Sequence, residues 1–413
     1  MPAHSPTHSC NALMPRYAAD FQCIGSACED TCCAGWKISI DQATLETYRQ
    51  VKHPGLAERF QRFIKPISVE ARGASGHPAR IELLPDTRDC PFLEQGCCAI
   101  HRDLGEDYLS DTCASFPRRI REVSGQIEYA LDLACPEAAR KALLTENVLD
   151  LIESPISIRP STLVASPLTG KLTPQQVSEI RGFCLQFMQL GDLLLWQRLV
   201  VIGHFCHQLE ALLATDTPLD LDQFLSEFLG QIEQGPMLAL LNEVTADHWG
   251  QAQLFFKLWQ GGLKRMTSPT HTVIQEAVAA GLCTRVSGMT TPDWEALVSG
   301  YQAGLQHMPG ALQAAPALLD NYLLNEMFRE AFPFGMSTPY RHFLGVLARF
   351  GVLRLMLAAV CNSTPLPDPA RLASTAQVFS RLYPHPSFST QAIQALEYLG
   401  FDKPERFPTL LRS

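Results

Sequence analysis

The amino-acid sequence predicts an α+β protein that is mostly α, with a small cysteine-rich domain over residues 1–150 and a large all-α domain over residues 151–413. Three observations lead to this prediction. The chain has 413 residues, 46% of them apolar, and domains of roughly 100–200 residues make two domains the default. Nine of its 14 cysteines lie between Cys23 and Cys135. Helical periodicity dominates beyond residue 173, without the alternation of strands and helices that indicates a doubly wound sheet.

In the first part, short elements are predicted between the cysteines. Residues 36–41, WKISID, alternate apolar and polar side chains as a half-buried strand does. Residues 41–64 have a helical pattern, and residues 119–133 form a predicted β-hairpin around the turn pair Ser124 and Gly125. Cys10 precedes any periodic pattern and is expected on a loose terminus. The polar, proline-containing stretch after residue 150 is predicted to be a linker or crossover.

The second part opens with a helix signal. Thr173 fits the N-cap, Pro174 the first helical position and Gln176 the third position of a capping box. Four isolated cysteines in this part, Cys184, Cys206, Cys283 and Cys361, are expected to be buried small apolar residues. The predicted helices span about 175–189, 192–214, 219–233, 236–245, 272–281, 293–307, 317–331, 339–360, 369–382 and 389–399.

Charge and hydropathy restrict the class of protein. The chain has 33 basic and 42 acidic side chains, a net charge of −9, which argues against a general nucleic-acid binder. The N-terminal residues lack the pattern of a secretory signal. The most apolar stretch, Phe343–Val360, is interrupted by Arg349 and Arg354, so no membrane span is predicted. The expected location is the cytoplasm, where thiols stay reduced and clustered cysteines point to metal or redox chemistry.

The cysteines form two clusters with ligand character. Nine thiols in the short stretch from Cys23 to Cys135 are more than packing requires, so at least one metal centre is predicted. The spacing leaves zinc and an iron–sulfur cluster open, because the C-x2-C pairs of structural zinc are absent. His101 is a further candidate, although a surface histidine is the favoured interpretation. The clusters are Cys23, Cys28, Cys32 and Cys33, then Cys90, Cys97, Cys98, Cys113 and Cys135.

The adjacent pairs Cys32–Cys33 and Cys97–Cys98 limit how the ligands can be shared. Neighbouring side chains of an extended strand point to opposite faces. Both members of a pair can therefore bind one centre only where the backbone turns between them. The cysteines could accordingly build two four-ligand sites, or one site with supporting thiols.

Several segments resemble the flagellin lysine-N-methylase family, within a wider group of cysteine-cluster proteins described as zinc- or iron-chelating. The resemblance is specific over residues 1–140 and diffuse afterwards. The matching segments are YAADFQCIGSACEDTCCAGWKISID from Tyr17, CPFL from Cys90, LSDTCASFPR ending at Arg118, CPEA from Cys135 and LDNYLLNEMFREAFPF from Leu319.

The resemblance implies an enzyme that moves a methyl group from S-adenosylmethionine to lysine amines of flagellin and that carries a 4Fe–4S cluster, with zinc as the alternative. It ranks Cys97 lowest, as an addition to the family pattern. The implied metal ligands are Cys23, Cys28, Cys32, Cys33, Cys90, Cys98, Cys113 and Cys135.

Two familiar motifs are missing from the sequence. No G-x-G-x-x-G follows a predicted strand, so the usual nucleotide cradle is not predicted. The C-x3-C-x2-C spacing of the common radical enzymes is also absent, which leaves a common radical mechanism unsupported. No residue is therefore assigned to S-adenosylmethionine or to catalysis.

Methylation imposes a chemical requirement on the site. With a pKa near 10.4, roughly one lysine in 2,500 is neutral at pH 7, so the site must desolvate the amine or accept its proton. Polar side chains among the cysteine motifs could contribute, although each is more simply a solvated residue or helix cap: Glu29, Asp30, His101, Tyr108 and Asp111. The site is expected as a shallow, acidic groove in the cleft between the two domains; a site wholly among the helices is the alternative.

Two other functions fit the cysteine clusters. One is a non-catalytic metal-binding, metal-delivering or electron-transfer module, which leaves the large helical part unexplained. The other is a flagellin-binding adaptor with a structural metal. Transfer of label from S-adenosylmethionine to flagellin separates these alternatives from the enzyme.

Overall fold

The structure, a computed structural model, describes residues 8–72, 76–165, 169–263, 268–285 and 292–413. Most of these residues are helical, in agreement with the predicted fold class. The strands are β1 (His8–Pro15), β2 (Ile38–Ile40), β3 (Ile64–Pro66), β4 (Ala79–Ile81), β5 (Leu93–Glu94), β6 (Cys97–Cys98), β7 (Arg118–Val123), β8 (Gln126–Leu131), β9 (Leu151–Ile158) and β10 (Leu163–Val164).

The first six helices lie between these strands, and the others follow them. They are α1 (Arg16–Ala19), α2 (Gln42–Gln50), α3 (Leu56–Phe63), α4 (Ala99–Leu104), α5 (Asp111–Ser115), α6 (Pro136–Leu143), α7 (Pro174–Phe187), α8 (Leu195–Leu213), α9 (Leu221–Glu233), α10 (Pro236–Glu243), α11 (His248–Gly262), α12 (Pro269–Gly281), α13 (Trp294–Leu312), α14 (Leu318–Arg329), α15 (Pro339–Ser363), α16 (Pro369–Leu382), α17 (His385–Leu399) and α18 (Phe407–Leu411).

The largest sheet has the strand order β10-β7-β8-β1-β9. The predicted hairpin is confirmed as β7 and β8, in which Arg118 pairs with Leu131 and Val123 with Gln126. Its two turn residues both have positive φ, 53° and 83°, as a two-residue hairpin turn requires. Strand β1 lies inside the sheet, parallel to β8 and antiparallel to β9.

Two predictions about this sheet are wrong. Cys10 lies in β1 and not on a loose terminus, because β1 is paired on both sides. The stretch after residue 150 contains two strands, β9 and β10, that complete the sheet at its two edges. Both strands pair with partners that are distant in the sequence, and local composition carries no signal for such pairing.

A second, smaller core surrounds the cysteine segments. It contains the strands β2, β4 and β3, with Ile38, Phe60 and Phe92 buried at its centre. The helix predicted over 41–64 is two helices, α2 and α3, because Gly55 adopts a φ of 83° between them. Strand β2 confirms the predicted strand near Trp36.

The five-stranded sheet shares its hydrophobic core with the helices. Met14, Leu131 and Leu133 belong to one continuous cluster with Leu323 and Phe379. The described part of residues 1–150 is thus divided between this core and the smaller one, and a discrete cysteine-rich domain is not shown. The boundary at residue 150 stays a prediction.

The helical part is close to its prediction. The capping box of α7 is confirmed, with Thr173 and Gln176 in the expected roles. Helices α11 and α18 were not predicted. Cys184, Cys206 and Cys361 are buried as expected, but Cys283 is exposed because it follows the end of α12 in a left-handed conformation with a φ of 53°.

Helix α15 is the central helix of the fold. Within the described residues it is the one helix long and apolar enough to cross a membrane, and its apolar window is entirely buried in the protein. The two arginines that interrupt this window have partners inside the core: Arg349 pairs with Glu326, and Arg354 donates to the carbonyl of Leu410 at 2.6 Å. The helix is therefore part of the protein core.

Glycine allows the neighbouring helix α13 to approach α15 closely. A Cβ atom added at Gly304 would lie 2.1 Å from the carbonyl oxygen of Ala358, whereas Gly182 in the middle of α7 has open space at the same position. We expect Gly304→Ala to lower the free energy of unfolding by about 1–3 kcal/mol because two backbones must separate. Gly182→Ala should be neutral or stabilising by up to about 1 kcal/mol. Urea unfolding of both variants checks this, and equal effects would contradict the packing argument.

Candidate metal centre and adjoining cavity

The first cysteine cluster lies on the loop between α1 and β2. This loop is joined to the second cluster by backbone pairing: the amide of Cys90 donates to the carbonyl of Cys33 at 2.7 Å, and Ala34 forms a β-bridge with Asp89. The indole of Trp36 donates to the carbonyl of Cys32 at 2.5 Å. The two clusters are therefore brought together although they lie far apart in the sequence.

The hairpin of β5 and β6 brings Cys97 and Cys98 to the same place. Its turn residues Gln95 and Gly96 have φ of 51° and 77°. A Cβ atom at Gly96 would lie 3.3 Å from the backbone of Ser26, so a glycine lets the turn pack tightly on the first loop. Cys98 then immediately precedes helix α4, near its free N–H groups.

The last two cysteines are placed by short helices. Cys113 lies in the first turn of α5, where its amide donates to the Ser110 side chain at 3.4 Å. Cys135 directly precedes α6, with Pro136 at the first helical position. Both thiols lie at the cavity that the other cysteines line.

All nine cysteines of the two clusters line one cavity of about 320 Å³, which we call the thiol cavity. Among the described residues, no three Cys, His, Asp or Glu side chains already stand as close as the ligands of one metal ion. The thiols thus surround a space and do not converge on one point. The eight cysteines implied by the family resemblance all belong to this set, as does Cys97.

Three thiols form a hydrogen-bonded group in the cavity. Cys33 has one S–H proton, and sharing it with the two neighbouring sulfurs lowers the pKa of Cys32 and that of Cys98. The pKa of Cys33 is raised in turn by its hydrogen bonds to those two sulfurs. Burial raises the pKa of Cys90 and of Cys113 to about 12. The cavity thus favours thiolate at Cys32 and Cys98, and thiolate is the form that binds metals.

The chemistry and the size of the thiol cavity fit a metal cluster. A single zinc ion needs four donors about 2.3 Å from one point. Here more than four thiols surround a larger space, which a polynuclear cluster with supporting thiols or two four-ligand sites would fill. The residues that could hold a cluster are Cys23, Cys28, Cys32, Cys33, Cys90, Cys98, Cys113 and Cys135.

Asp30 connects the first cysteine loop to the helices. It is buried, and its Oδ2 contacts the His271 Nε2 at 3.1 Å, the Gln377 amide at 2.8 Å and the Arg381 guanidinium at 3.0 Å. Burial opposes its charge, but the bond from His271 and the charge of Arg381 outweigh this and lower the pKa of Asp30. Asp30 is a structural anchor and not a solvated residue.

Arg381 of helix α16 holds the same loop by its backbone. Its guanidinium donates to the carbonyls of Asp30, Thr31 and Ala34 at 3.1, 2.7 and 2.9 Å. We expect Arg381→Met to cost about 1–3 kcal/mol of stability, because buried acceptors lose their donor, and to speed the loss of any bound metal to a chelator. Arg371→Met, on the same helix with one bond of 3.4 Å, is the control. Equal chelation rates for both variants would exclude this role.

The other polar candidates lie nearer the surface. Glu29 is exposed and pairs with Arg140 at 2.5 Å, and Asp111 in the first turn of α5 pairs with Arg159 at 3.4 Å. Tyr108 is half-buried against the small core. His101 is exposed on α4 at the edge of the thiol cavity. The favoured surface interpretation of His101 agrees with its exposure.

A second cavity of about 550 Å³ lies between the cysteine loop, the β7–β8 hairpin and helices α12, α14, α15 and α16; we call it the arginine cavity. It adjoins the thiol cavity, because Cys32, Trp36 and Phe116 line both. Its charged lining consists of Arg88, Arg119, Asp132, Arg329, Glu330, Arg349 and Arg381, next to His271.

This lining contradicts one expectation and agrees with another. Among the described residues, five arginines and two carboxylates line the cavity and make it basic, so the predicted acidic character is wrong for this space. The arginines belong to both the cysteine segments and the helices. A cavity therefore does lie where the two parts of the chain meet, which is the place predicted for methyl transfer.

A buried ion-pair network forms the floor of the arginine cavity. Glu326 binds Arg329 at 2.8 Å and Arg349 at 3.0 Å, and Glu330 binds Arg329 at 2.7 Å and Arg121 at 3.3 Å. The family resemblance includes the segment around these residues but assigns them no role. The sequence does not indicate a site role for Arg119, His271 or Arg381, because only the tertiary fold brings them to the cavity.

Comparison with known proteins gives the class of this enzyme. The FliB lysine N-methylase C-terminal domain matches residues 181–409. The chain is similar to the lysine-N-methylases of Salmonella choleraesuis and Salmonella typhimurium, each 24% identical over 350 residues that cover 84% of both chains. It is also similar to the flagellar biosynthetic protein FliU of Salmonella muenchen, 33% identical over 150 residues, 36% of this chain and 86% of that protein. No solved structure matches the chain.

These matches define a lysine N-methyltransferase. The chain belongs to the FliB lysine N-methylase family. The matched domain contains the helical side of the arginine cavity, including His271, Arg329 and Arg381, whereas the thiol cavity is formed by residues before it.

Proposed function

We propose that this lysine N-methyltransferase moves methyl groups from S-adenosylmethionine to lysine side chains of flagellin, and that a 4Fe–4S cluster in the thiol cavity is needed for activity. The convergence of nine thiols on one cavity beside the arginine cavity carries the proposal. A catalytic site made only by the helices would not require these thiols. The flagellar name of one relative and the lysine-methylase names of two others support the choice of flagellin.

The donor chemistry of the thiol cavity supports the choice of cluster. When bound, the cluster supplies cross-links between the cysteine segments and a one-electron centre. The protein's own residues fix this region from the other side: Asp30, Gln377 and Arg381 tie the loop of Cys28–Cys33 to α16. The wall shared by the two cavities is thereby held against the helices.

Direct methyl transfer explains what the arginine cavity must do. The neutral lysine nitrogen forms a bond to the methyl carbon, the carbon–sulfur bond breaks, and S-adenosylhomocysteine leaves as the neutral thioether. The amine also gives up one proton. Among the described residues, Asp132 and Glu330 are the carboxylates that line this cavity; Glu330 is buried between two arginines, so Asp132, the more exposed of the two, is the better acceptor. Partial burial beside five arginines favours the neutral amine of an entering lysine.

The test is incubation of the anaerobically purified protein with flagellin and methyl-labelled S-adenosylmethionine. We expect label on flagellin lysines, located by peptide mass spectrometry, and none after flagellin lysines have been acetylated. Flagellin binding without label would favour the adaptor. Neither binding nor label would favour a metal or electron-transfer module.

A further inference from the structure

The arginine cavity contains a guanidinium that lacks a partner in the protein. Arg119 lies on β7, and its Nε is buried with no hydrogen-bond acceptor. Within the part of the chain that the structure describes, no carboxylate pairs with Arg119. The neighbouring Arg121, two positions along the strand, is instead paired with Glu330. The Nε of Arg121 and of other buried arginines also lacks an acceptor, but Arg119 lacks a counter-charge among the described residues as well, and an unpaired guanidinium in a cavity favours an anionic ligand at this position.

Arg88 adds a second free cation to the lining of the cavity. It lies in the turn before Cys90 with a φ of 60°, is exposed, and forms no ion pair with another described residue. The remaining three arginines of the lining, Arg329, Arg349 and Arg381, are all engaged by carboxylates. Of these five described arginines, Arg88 and Arg119 are thus the two available to a ligand.

The remaining lining residues indicate which chemical group the ligand carries at the end opposite its anionic group. Trp36 and Phe116 form an aromatic wall, with ring centroids 5.5 Å apart, at the border with the thiol cavity. An aromatic wall accepts a flat heterocycle or a cationic group. A volume of about 550 Å³ lies within the range of sites for cofactor-sized molecules. The cavity therefore suits a molecule with a carboxylate at one end and a ring system at the other.

We propose that the arginine cavity binds the methyl donor, with its amino-acid carboxylate held by Arg119 and Arg88. This inference rests on the proposed function for the identity of the donor. Arginine binds a carboxylate in a two-pronged, charge-assisted geometry that lysine cannot reproduce. The assignment places the donor beside the wall of Cys32, Trp36 and Phe116, next to the thiol cavity.

The test compares two unreactive probes by calorimetry on the full-length, anaerobically purified protein. S-adenosylhomocysteine carries the carboxylate, and 5′-methylthioadenosine has the same adenosine and thioether without it. We expect Arg119→Gln to weaken binding of S-adenosylhomocysteine about tenfold or more, as for loss of a charged hydrogen bond, and to leave 5′-methylthioadenosine unchanged. Arg80→Gln, which removes an exposed arginine of β4 that lines neither cavity, should change neither affinity.

The outcomes distinguish a failure of this inference from a failure of the proposed function on which it rests. If the wild type binds S-adenosylhomocysteine and both Arg119→Gln and Arg88→Gln bind it with the same affinity, the proposed carboxylate site is wrong, but the proposed function is not affected. If the wild type binds neither S-adenosylhomocysteine nor S-adenosylmethionine, the assignment of S-adenosylmethionine as the methyl donor is wrong, and so is this inference. Should Arg119→Gln lose its helical circular dichroism, Arg88→Gln decides, because that side chain is exposed and its removal leaves the core intact.

Discussion

Replacing Cys98 by serine is expected to abolish metal binding and methyl transfer. Hydrogen bonding with Cys33 lowers the pKa of Cys98, so its thiolate is a ready ligand. A serine hydroxyl stays protonated and is a poor ligand for iron. Loss of a residue that only hydrogen-bonds to a metal ligand lowers metal affinity or activity by about 10–100-fold. Loss of a ligand itself should lower them further. Iron and sulfide analysis, with the labelled flagellin assay, measures the effect.

The neighbouring Cys97 provides the matched control. It lines the same cavity and precedes Cys98 in the same short strand, but it is an addition to the family pattern. Cys97→Ser should retain its iron, as should Cys283→Ser at the exposed end of α12. If Cys98→Ser kept full iron and activity, the assignment of ligands would be wrong. If Cys97→Ser lost as much iron as Cys98→Ser, Cys97 would have to join the ligand set.

Replacing Glu326 by alanine is expected to have the largest effect on stability. Its carboxylate is 4% exposed and binds both Arg329 and Arg349, whose side chains are 6% and 3% exposed. Removing one partner of a buried ion pair leaves uncompensated charge and costs about 3–5 kcal/mol. Because both arginines line the arginine cavity, binding of S-adenosylhomocysteine should also weaken. Urea unfolding followed by circular dichroism gives the loss of free energy.

The comparison is Glu397→Ala, which removes one carboxylate from a surface pair. Glu397 and its partner Arg341 are 39% and 37% exposed. Such pairs contribute about 0–1 kcal/mol, so this variant should unfold almost as the wild type does. Similar losses in Glu326→Ala and Glu397→Ala would show that the buried network is not what holds the floor of the cavity.

The sequence was informative wherever local chemistry determines structure. The turn pair Ser124–Gly125 predicted the hairpin, and Thr173 with Gln176 predicted the start of α7. Both signals depend on residues within a few positions of each other. The clustering of cysteines likewise predicted at least one metal centre and left open whether the thiols share one site or form two, and the structure brings all nine to one cavity.

Long-range pairing explains what sequence reasoning missed. Strand β1 is held by β9, with His8 opposite Ile158, and nothing near His8 indicates a partner in so distant a part of the chain. The arginine cavity could not be predicted from the sequence for the same reason, because Arg119 and Arg381 line one cavity only in the folded chain. The expected acidic character does not hold for the arginine cavity, because net charge averages over the surface, whereas a cavity is defined by a few side chains.

The most direct test of this account is metal and sulfide analysis of the protein purified without oxygen. A cluster in the thiol cavity predicts roughly four iron and four sulfide per chain, together with a brown colour that Cys98→Ser lacks and Cys97→Ser retains. Removal of that iron should abolish methylation of flagellin, and reconstitution should restore it. Stoichiometric zinc without iron, or full methylation by the iron-free protein, would contradict the account.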